Sequence, residues 1–432
     1  MNSGNEKGRP GKRLVGLAVL IALLLISLGL AACGGGGSSS SSESTTAEEP
    51  GGETETAKSE EAAEPTGTPI KVMAISADNN AVYNFPDVWP LAEAAADAQN
   101  AAGGINGHPI EVITCNDHAE PNAATKCARE AVSEEVVALV GGLTLSDVNV
   151  FPIIEAAGIP WIGNEGLGEQ SNTNKYSFVT GGGAFEYTAA AYNAGKECKT
   201  VSVVSQNVPT DKELLEGFAE PAIKVAGNEF TVEADAETNQ TDFSGLAAQV
   251  SQAGECLYMQ LPPQQSSAMA KALQAEGSQI KIYSIGGTFT EEVIEAAPTA
   301  TEGARVYAQT PPPEEAEEWA EAREAVEKYI GESIEFSNAN VANTWTAMKL
   351  FVELAEGIKG EITPEAVFKA ANSATKLEPG TIPPVNFSKP FPVEGFNRYF
   401  NSYVVPLEVT GGKLEAKGEF EDMEEVFVKG HS

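Results

Sequence analysis

Side-chain catalysis needs a nucleophile beside a base, a matched pair of carboxyl groups, or a metal, and this chain supplies few of those parts. Histidine occurs only at His108, His118 and His431, and none accompanies a serine or cysteine in a nucleophile arrangement. There is no Gly-x-Ser-x-Gly elbow. Ser373-Ala374-Thr375-Lys376 has the Ser-x-x-Lys spacing of an acylating serine, but no Lys-Thr-Gly accompanies it, so the match reads as coincidence. Gly181-Gly182-Gly183 lacks the Lys-Ser/Thr that follows a phosphate loop and the Gly-x-Gly-x-x-Gly register, and reads as a hinge able to absorb dihedral change. With 62 Asp and Glu in 432 residues, no pair of carboxylates is diagnostic. Cys-x-x-Cys is absent, so no metal is expected, and no cofactor or catalytic residue is assigned.

Binding fits better. Polar and aromatic side chains stand in the turns after short apolar strands: Tyr83 and Asn84, Thr144 and Ser146, Asn164 and Glu165, then Gln206 and Asn207, Gln260, and Thr288. Such groups orient a small ligand, while helix N-terminal amides and apolar surface complete its enclosure.

The elements that would hold them are legible as an alternation. Val136 to Val140 is a β-branched apolar run stopped by Gly141-Gly142. A helix follows, capped by Thr144 or Ser146 and ended by Gly158, and Pro160-Trp161-Ile162-Gly163 begins another strand. The same pattern places strands at 70–75 and 108–115 and helices at 89–102 and 121–133. Beyond the glycines, helices are expected at 184–196, 212–225, 243–253 and 264–275, alternating with strands at 200–205, 229–234, 256–259 and 280–285. Ala304 to Ala308 with Pro311-Pro312-Pro313 reads as a crossing back to the first block. Helices at 314–329, 338–356 and 363–371 follow, and a last strand at 401–409 turns through Thr410-Gly411-Gly412-Lys413. Two similar blocks in succession imply an α/β protein of two doubly wound lobes, with turns on one sheet edge forming a crevice.

The ends of the chain speak to its compartment. Lys7, Arg9, Lys12 and Arg13 precede an apolar run from Leu14 to Leu30, the two-part pattern of an export signal, and Leu30-Ala31-Ala32-Cys33 resembles the lipobox of bacterial lipoproteins. Residues 1–33 are therefore expected to be signal peptide and Cys33 to carry lipid. Their removal takes the basic residues from 27 to 23 and the acidic ones from 62 to 61, a net charge of −38. Residues 34–68, rich in Gly, Ser and Glu, bury no core and read as a disordered acidic tether. So much negative charge argues against nucleic acid and against electrostatic docking on anionic lipid. Four cysteines remain, an even number that suits an oxidising compartment. Of three connectivities we select Cys115 with Cys127, a strand end with the next helix, and Cys198 with Cys256, each at the start of a strand that would neighbour the other's.

Several stretches give the folded body a family resemblance. Ala102-Gly103-Gly104-Ile105-Asn106-Gly107-His108-Pro109-Ile110-Glu111-Val112 is similar to a segment of bacterial substrate-binding proteins of the branched-chain amino-acid type. So are Asn116-Asp117 before the Pro121 helix, Val140-Gly141-Gly142 with Gly158-Ile159-Pro160, Thr241-Asp242-Phe243-Ser244, and Pro384-Val385-Asn386-Phe387-Ser388. The resemblance runs from about Ile70 to Val409 and implies a type I periplasmic binding protein with three crossings between lobes. The division it implies is 69–182 and 309–395 in lobe 1, 183–308 and 396–432 in lobe 2. It implies a monomeric lipoprotein on the outer face of the cell membrane that captures a small polar ligand, an amino acid or related compound, and delivers it to the permease subunits of an ABC transporter. A sensory receptor of the same fold signalling to a membrane partner, and a hydrolase on the same two lobes working through Ser373 or Glu165, are the alternatives. The chain departs from amino-acid binders of the family in lacking a Tyr-Gly pair near Thr210 and Asp211, an aromatic near Pro262 and an acid near Thr288; Glu165 and Asp78 remain for a ligand's ammonium.

Overall fold

The structure is a computed structural model that describes residues 64–79, 84–181, 183–312, 316–334, 336 and 338–432. The expected signal peptide, Cys33, most of the tether, Tyr83 and Gly182 lie outside the described residues. Among the described residues no helix is long and apolar enough to cross a membrane.

Two sheets organise the chain. β1 (Ile70–Ser76), β2 (Ile110–Asn116), β3 (Ala138–Val140), β4 (Trp161–Asn164) and β5 (Ser177–Val179) form the first, all parallel, in the order β2-β1-β3-β4-β5. The second contains β6 (Val201–Gln206), β7 (Phe230–Ala236), β8 (Cys256–Gln260), β9 (Lys281–Ile285), β10 (Arg305–Ala308), β11 (Tyr403–Thr410) and β12 (Lys413–Ala416). Its order is β7-β6-β8-β9-β10-β11-β12, with β13 (Glu421–Asp422) pairing with β11. The order 2-1-3-4-5 therefore recurs in both lobes, and the α/β reading of two doubly wound lobes holds. Connections diverge at β1/β3 and at β6/β8, which is where such sheets open a crevice beyond the strand ends.

Strands covered by helices on both faces need apolar residues at nearly every position. β1 obeys this: only Lys71 of its seven residues escapes full burial. One face of the first sheet, through Val72, Ala74, Ile162 and Phe178, packs on helices Val88–Ala101 and Ala339–Glu356; the other, through Met73, Ile75, Leu139 and Trp161, packs on Phe151 and Ile154 of helix Asp147–Ala157. In the second sheet, Val203, Tyr258 and Tyr283 face helix Ala184–Glu197, and Val204, Leu257 and Met259 face helices Ser244–Ala253 and Pro263–Ala275. The chain returns to the first lobe for helix Ala339–Glu356, so the first core is completed by residues far from its strands in sequence.

Three features depart from the sequence reading. The stretch 304–308, expected as a crossing, is strand β10, with Val306 and Tyr307 buried and partners on both sides, β9 parallel and β11 antiparallel. The expected helix 212–225 begins at Pro209 and contains a π-helical turn at Leu215–Ala219. Pro221 has no N–H to offer the Gly217 carbonyl four residues back, and a widened turn relieves that mismatch. The freed carbonyl lies 2.9 Å from His431 Nε2. His431 follows the third departure, the terminal helix Glu424–Gly430, and it stacks on Phe427 with ring centroids 4.2 Å apart.

Both expected disulfides are present, Cys115–Cys127 and Cys198–Cys256, with sequence separations of 12 and 58. Val201 pairs with Cys256 in the parallel register, so β6 and β8 are the neighbours the second bridge requires. A longer closed loop removes more entropy from the unfolded chain, about 4 kcal/mol for the second and about 3 kcal/mol for the first. Replacing Cys198 and Cys256 together by alanine is therefore expected to lower the denaturant midpoint more than the same change at Cys115 and Cys127. An equal or reversed ranking in urea unfolding would contradict the assignment of the larger effect.

Candidate functional site

The loops beyond β3 and β4 are tightly built. Gly142 sits at φ +66°, and a Cβ there would lie 2.1 Å from the Ile75 carbonyl oxygen, so only glycine lets the β3 loop cross β1 this closely. Thr144 Oγ1 donates to Asp117 Oδ2 and accepts the Ser146 N–H at 3.1 Å. Burial pushes the Asp117 carboxyl up, opposed by the hydrogen bonds from Thr144 and the Ala119 amide. Ser146 holds the N-cap position of helix Asp147–Ala157, but no side chain closes that cap. Asn164 Nδ2 donates to Ser177 Oγ at 2.9 Å, and its carbonyl receives the N–H groups of Thr180 and Gly181. Glu165, 2% exposed, accepts from Asn343 Nδ2 at 2.8 Å. Asn84 Oδ1 accepts the Asn79 N–H at 2.7 Å on the surface. The structure thus gathers Thr144, Ser146, Asn164 and Glu165 on one sheet edge, with their polar atoms largely engaged inside the lobe.

The second lobe repeats this economy of polar groups. Gln206 Nε2 donates to Gln265 Oε1 at 2.8 Å, Gln265 Nε2 donates to the Glu237 carbonyl at 2.8 Å, and Asn207 Nδ2 donates to Glu237 Oε1 at 3.1 Å. Gln260 Nε2 donates to the Asp211 carbonyl at 3.1 Å and Gln260 Oε1 accepts from Tyr258 OH at 3.2 Å. Thr288 Oγ1 donates to the Ile285 carbonyl at 3.2 Å. Ser373, the candidate nucleophile of the hydrolase alternative, donates to helical carbonyls of Lys369 and Ala370, while Lys376 pairs with Glu378 at 2.7 Å, so serine and lysine are not brought together.

A cavity of about 530 Å³ opens where the two lobes meet. Its second-lobe wall is the C-terminal edge of β9 and β10, at Gly286, Gly287, Ala308 and Gln309, with Phe289 and Glu291 beyond β9 and Leu407 and Lys413 from β11 and β12. Its first-lobe wall is Phe336, Asn338 and Ala339, at the start of helix Ala339–Glu356. None of the nine described residues among the expected ligand contacts lines it, although Thr288 lies between Gly287 and Phe289. Sequence reasoning followed the loops after the first strands of each lobe, whereas the cavity sits at the far end of the second sheet, where the crossings run.

At its floor is Glu186, from the first turn of helix Ala184–Glu197 and 3% exposed. Oε1 accepts the Gln309 N–H at 2.9 Å; among the described residues Oε2 has no hydrogen-bond partner. Burial pushes the carboxyl up to about 8, the Gln309 amide opposes this, and nearby Glu165 adds to it. No sequence signal marked this residue, because an acid in the first turn of a helix is ordinary. Around it the crossings are tied down: Asn343 Nδ2 donates to the Gly163 carbonyl at 2.7 Å, Thr180 Oγ1 to Asn343 Oδ1 at 3.2 Å, and Asn401 Nδ2 to the Thr180 carbonyl at 3.1 Å. A Cβ on Gly181 would lie 2.3 Å from the Glu165 carboxylate, so the first crossing passes directly over that acid.

A family model described as periplasmic binding protein matches residues 79–391. No curated protein matches the chain. Among solved structures, the chain is similar to a fatty acid ABC transporter substrate-binding protein from Thermomonospora curvata, at 18% identity over 85% of this chain and 95% of that one with TM-score 0.64. It is similar also to a leucine-binding protein from Thermotoga maritima, at 16% identity over 82% and 99% with TM-score 0.61, and to an ABC transporter solute-binding protein from R. palustris in complex with benzoate, at 17% identity over 82% and 96% with TM-score 0.61. At these identities the likeness is one of fold.

The state of Glu186 has a consequence for stability. The unfolded chain ionises this carboxyl near 4.5 and the folded chain only near 8, so the folded state holds an extra proton between those values and loses stability as pH rises through them. Glu186→Gln, which keeps the shape of the neutral acid, is expected to raise stability at about pH 8.5 by roughly 4 kcal/mol and to change it little at about pH 4.5. Thermal unfolding at both values checks this; a gain that does not grow with pH would show the carboxyl to be ionised in the folded protein.

Proposed function

The chain belongs to the periplasmic binding protein family, and we propose that it is an extracytoplasmic solute receptor that captures a small molecule between its lobes and hands it, unchanged, to the permease of an ABC transporter. The observation that carries this reading is the cavity between the two doubly wound lobes, bordered by residues that belong to the crossings themselves. A solute seated there touches both lobes, and contacts available only when they close shift the open and closed populations. The crossings at 180–183, 309–316 and 388–403 act as the hinge, and the lobes divide as 69–182 with 309–395 and 183–308 with 396–432. The Thr144, Ser146, Asn164 and Glu165 edge and the Gln206, Asn207, Gln260 and Thr288 edge close on the solute from either side, with Asn84 at the rim. Members of this family bind rather than convert their ligands, and no catalytic role is assigned to Ser373 or Glu165 here.

The receptor acts as a monomer held by lipid on Cys33, with the acidic segment as its tether. The names of the similar proteins span fatty acid, leucine and benzoate, so a screen has to range over amines, amino acids, amides and aromatic or aliphatic acids.

Thermal shift of the full chain against such a panel is expected to find a solute that stabilises it by about 2.7 kcal/mol at a hundredfold excess over Kd. Native mass spectrometry should recover that solute at one per chain with its mass unaltered. Recovery of a chemically changed product, or a panel with no binder, would reject the proposal.

A further inference from the structure

Glu186 is a buried acid that lines the cavity, and among the described residues its Oε2 has no hydrogen-bond partner. A carboxyl group removed from water either stays protonated or acquires a cation. Among the described residues no cation is hydrogen-bonded to it: the charged or titratable groups about it are Glu165 beyond β4, Tyr258 on β8, Tyr187 on its own helix, and Glu291, Glu292 and Lys413 across the cavity. Lys413 is the one cationic side chain among the described lining residues, against three carboxyl groups, and no arginine lines the cavity there. A ligand carboxylate would meet this acidic surface without a guanidinium to hold it, whereas a ligand ammonium would supply the charge that Glu186 lacks. Phe289 and Phe336 offer an apolar surface beside the acid.

We propose that Glu186 is the contact by which the cleft takes a positively charged nitrogen, so that the solute is an organic cation with an apolar body and its capture displaces the Glu186 proton into solvent. This rests on the solute-receptor reading above and narrows it. The balance is simple: the neutral acid and the ammonium combine into a carboxylate–ammonium pair, and one proton leaves to the buffer. Affinity therefore rises with pH until Glu186 is ionised in the empty protein, by up to about tenfold per pH unit.

The test uses three probes of one skeleton on the full chain: 4-phenylbutylamine, 4-phenylbutanol and 4-phenylbutanoate. Calorimetry at about pH 8 is expected to show the amine binding at least tenfold more tightly than either other probe, and about fivefold more weakly one pH unit lower. Titration in two buffers of different ionisation enthalpy reads the released proton directly. Glu186→Gln, verified as folded by its melting curve, should abolish the proton release and the pH slope and weaken the amine at least tenfold. If the carboxylate or the alcohol binds most tightly, or if the amine binds the variant with the same affinity and pH slope, the cation assignment is overturned while solute capture stands. If no probe binds and no solute in the wider panel does either, both fall together.

Discussion

Removing a carboxyl group from water is among the more expensive things a fold can do, and the seam between the two lobes encloses two of them. Glu165 hangs from the end of β4 and Glu186 from the first turn of the helix that opens the second lobe, both almost fully enclosed. Backbone and amide donors cover part of the demand, through Gln309 and Asn343. What they leave uncovered on Glu186 gives the cavity its chemical character. The rest of the seam is organised so that these acids stay in place: the crossing at Gly181 passes over one of them, and helix Ala339–Glu356 brings Asn343 to it from a distant part of the chain.

The seam also contains a cation kept away from the acids. Arg398 is 6% exposed, its guanidinium lies 4.5 Å from the Phe178 ring centroid and 4.8 Å from that of Phe400, and Nε donates to the Ser177 carbonyl at 2.7 Å. Burial lowers its affinity for its proton to about 10. Two aromatic faces and one carbonyl are a softer environment than a carboxylate, and they join the third crossing to β5 without neutralising either glutamate. Tyr399, next in sequence, donates to the Gly166 carbonyl at 3.0 Å, so the same short segment fastens the loop that follows Glu165. Polar groups elsewhere on the sheet edges serve a different purpose. Thr144, Asn164, Gln206 and Gln260 stiffen the loops that carry them, and a stiff loop presents its backbone amides and apolar side chains to a ligand in a fixed arrangement.

Sequence patterning recovered the strand-helix alternation because a parallel sheet imposes it locally: a strand must be apolar on both faces, and each crossover must return through a helix. Val136 to Asn164 shows this, with the predicted strand, helix and strand all present as β3, Asp147–Ala157 and β4. The cysteine pairing followed for the same reason, since strand neighbours in this winding can be inferred from chain order. Patterning failed where the partner was remote. Residues 304–308 form a strand only because β11, about a hundred residues later, covers their open edge. The π turn at 215–219 falls inside what the sequence reads as one continuous helix, and its stabilising partner is His431 at the far end of the chain.

The sequence by itself determined the two α/β blocks, the glycine turns at their strand ends and both disulfides, because each depends on residues close along the chain or on strand order. Only the tertiary structure decided where the cavity lies and that Glu186 lines it. A carboxyl group's protonation is set by what surrounds it in space, and the groups that surround Glu186 come from Gln309, Glu165 and Tyr258, segments with no pattern linking them along the chain.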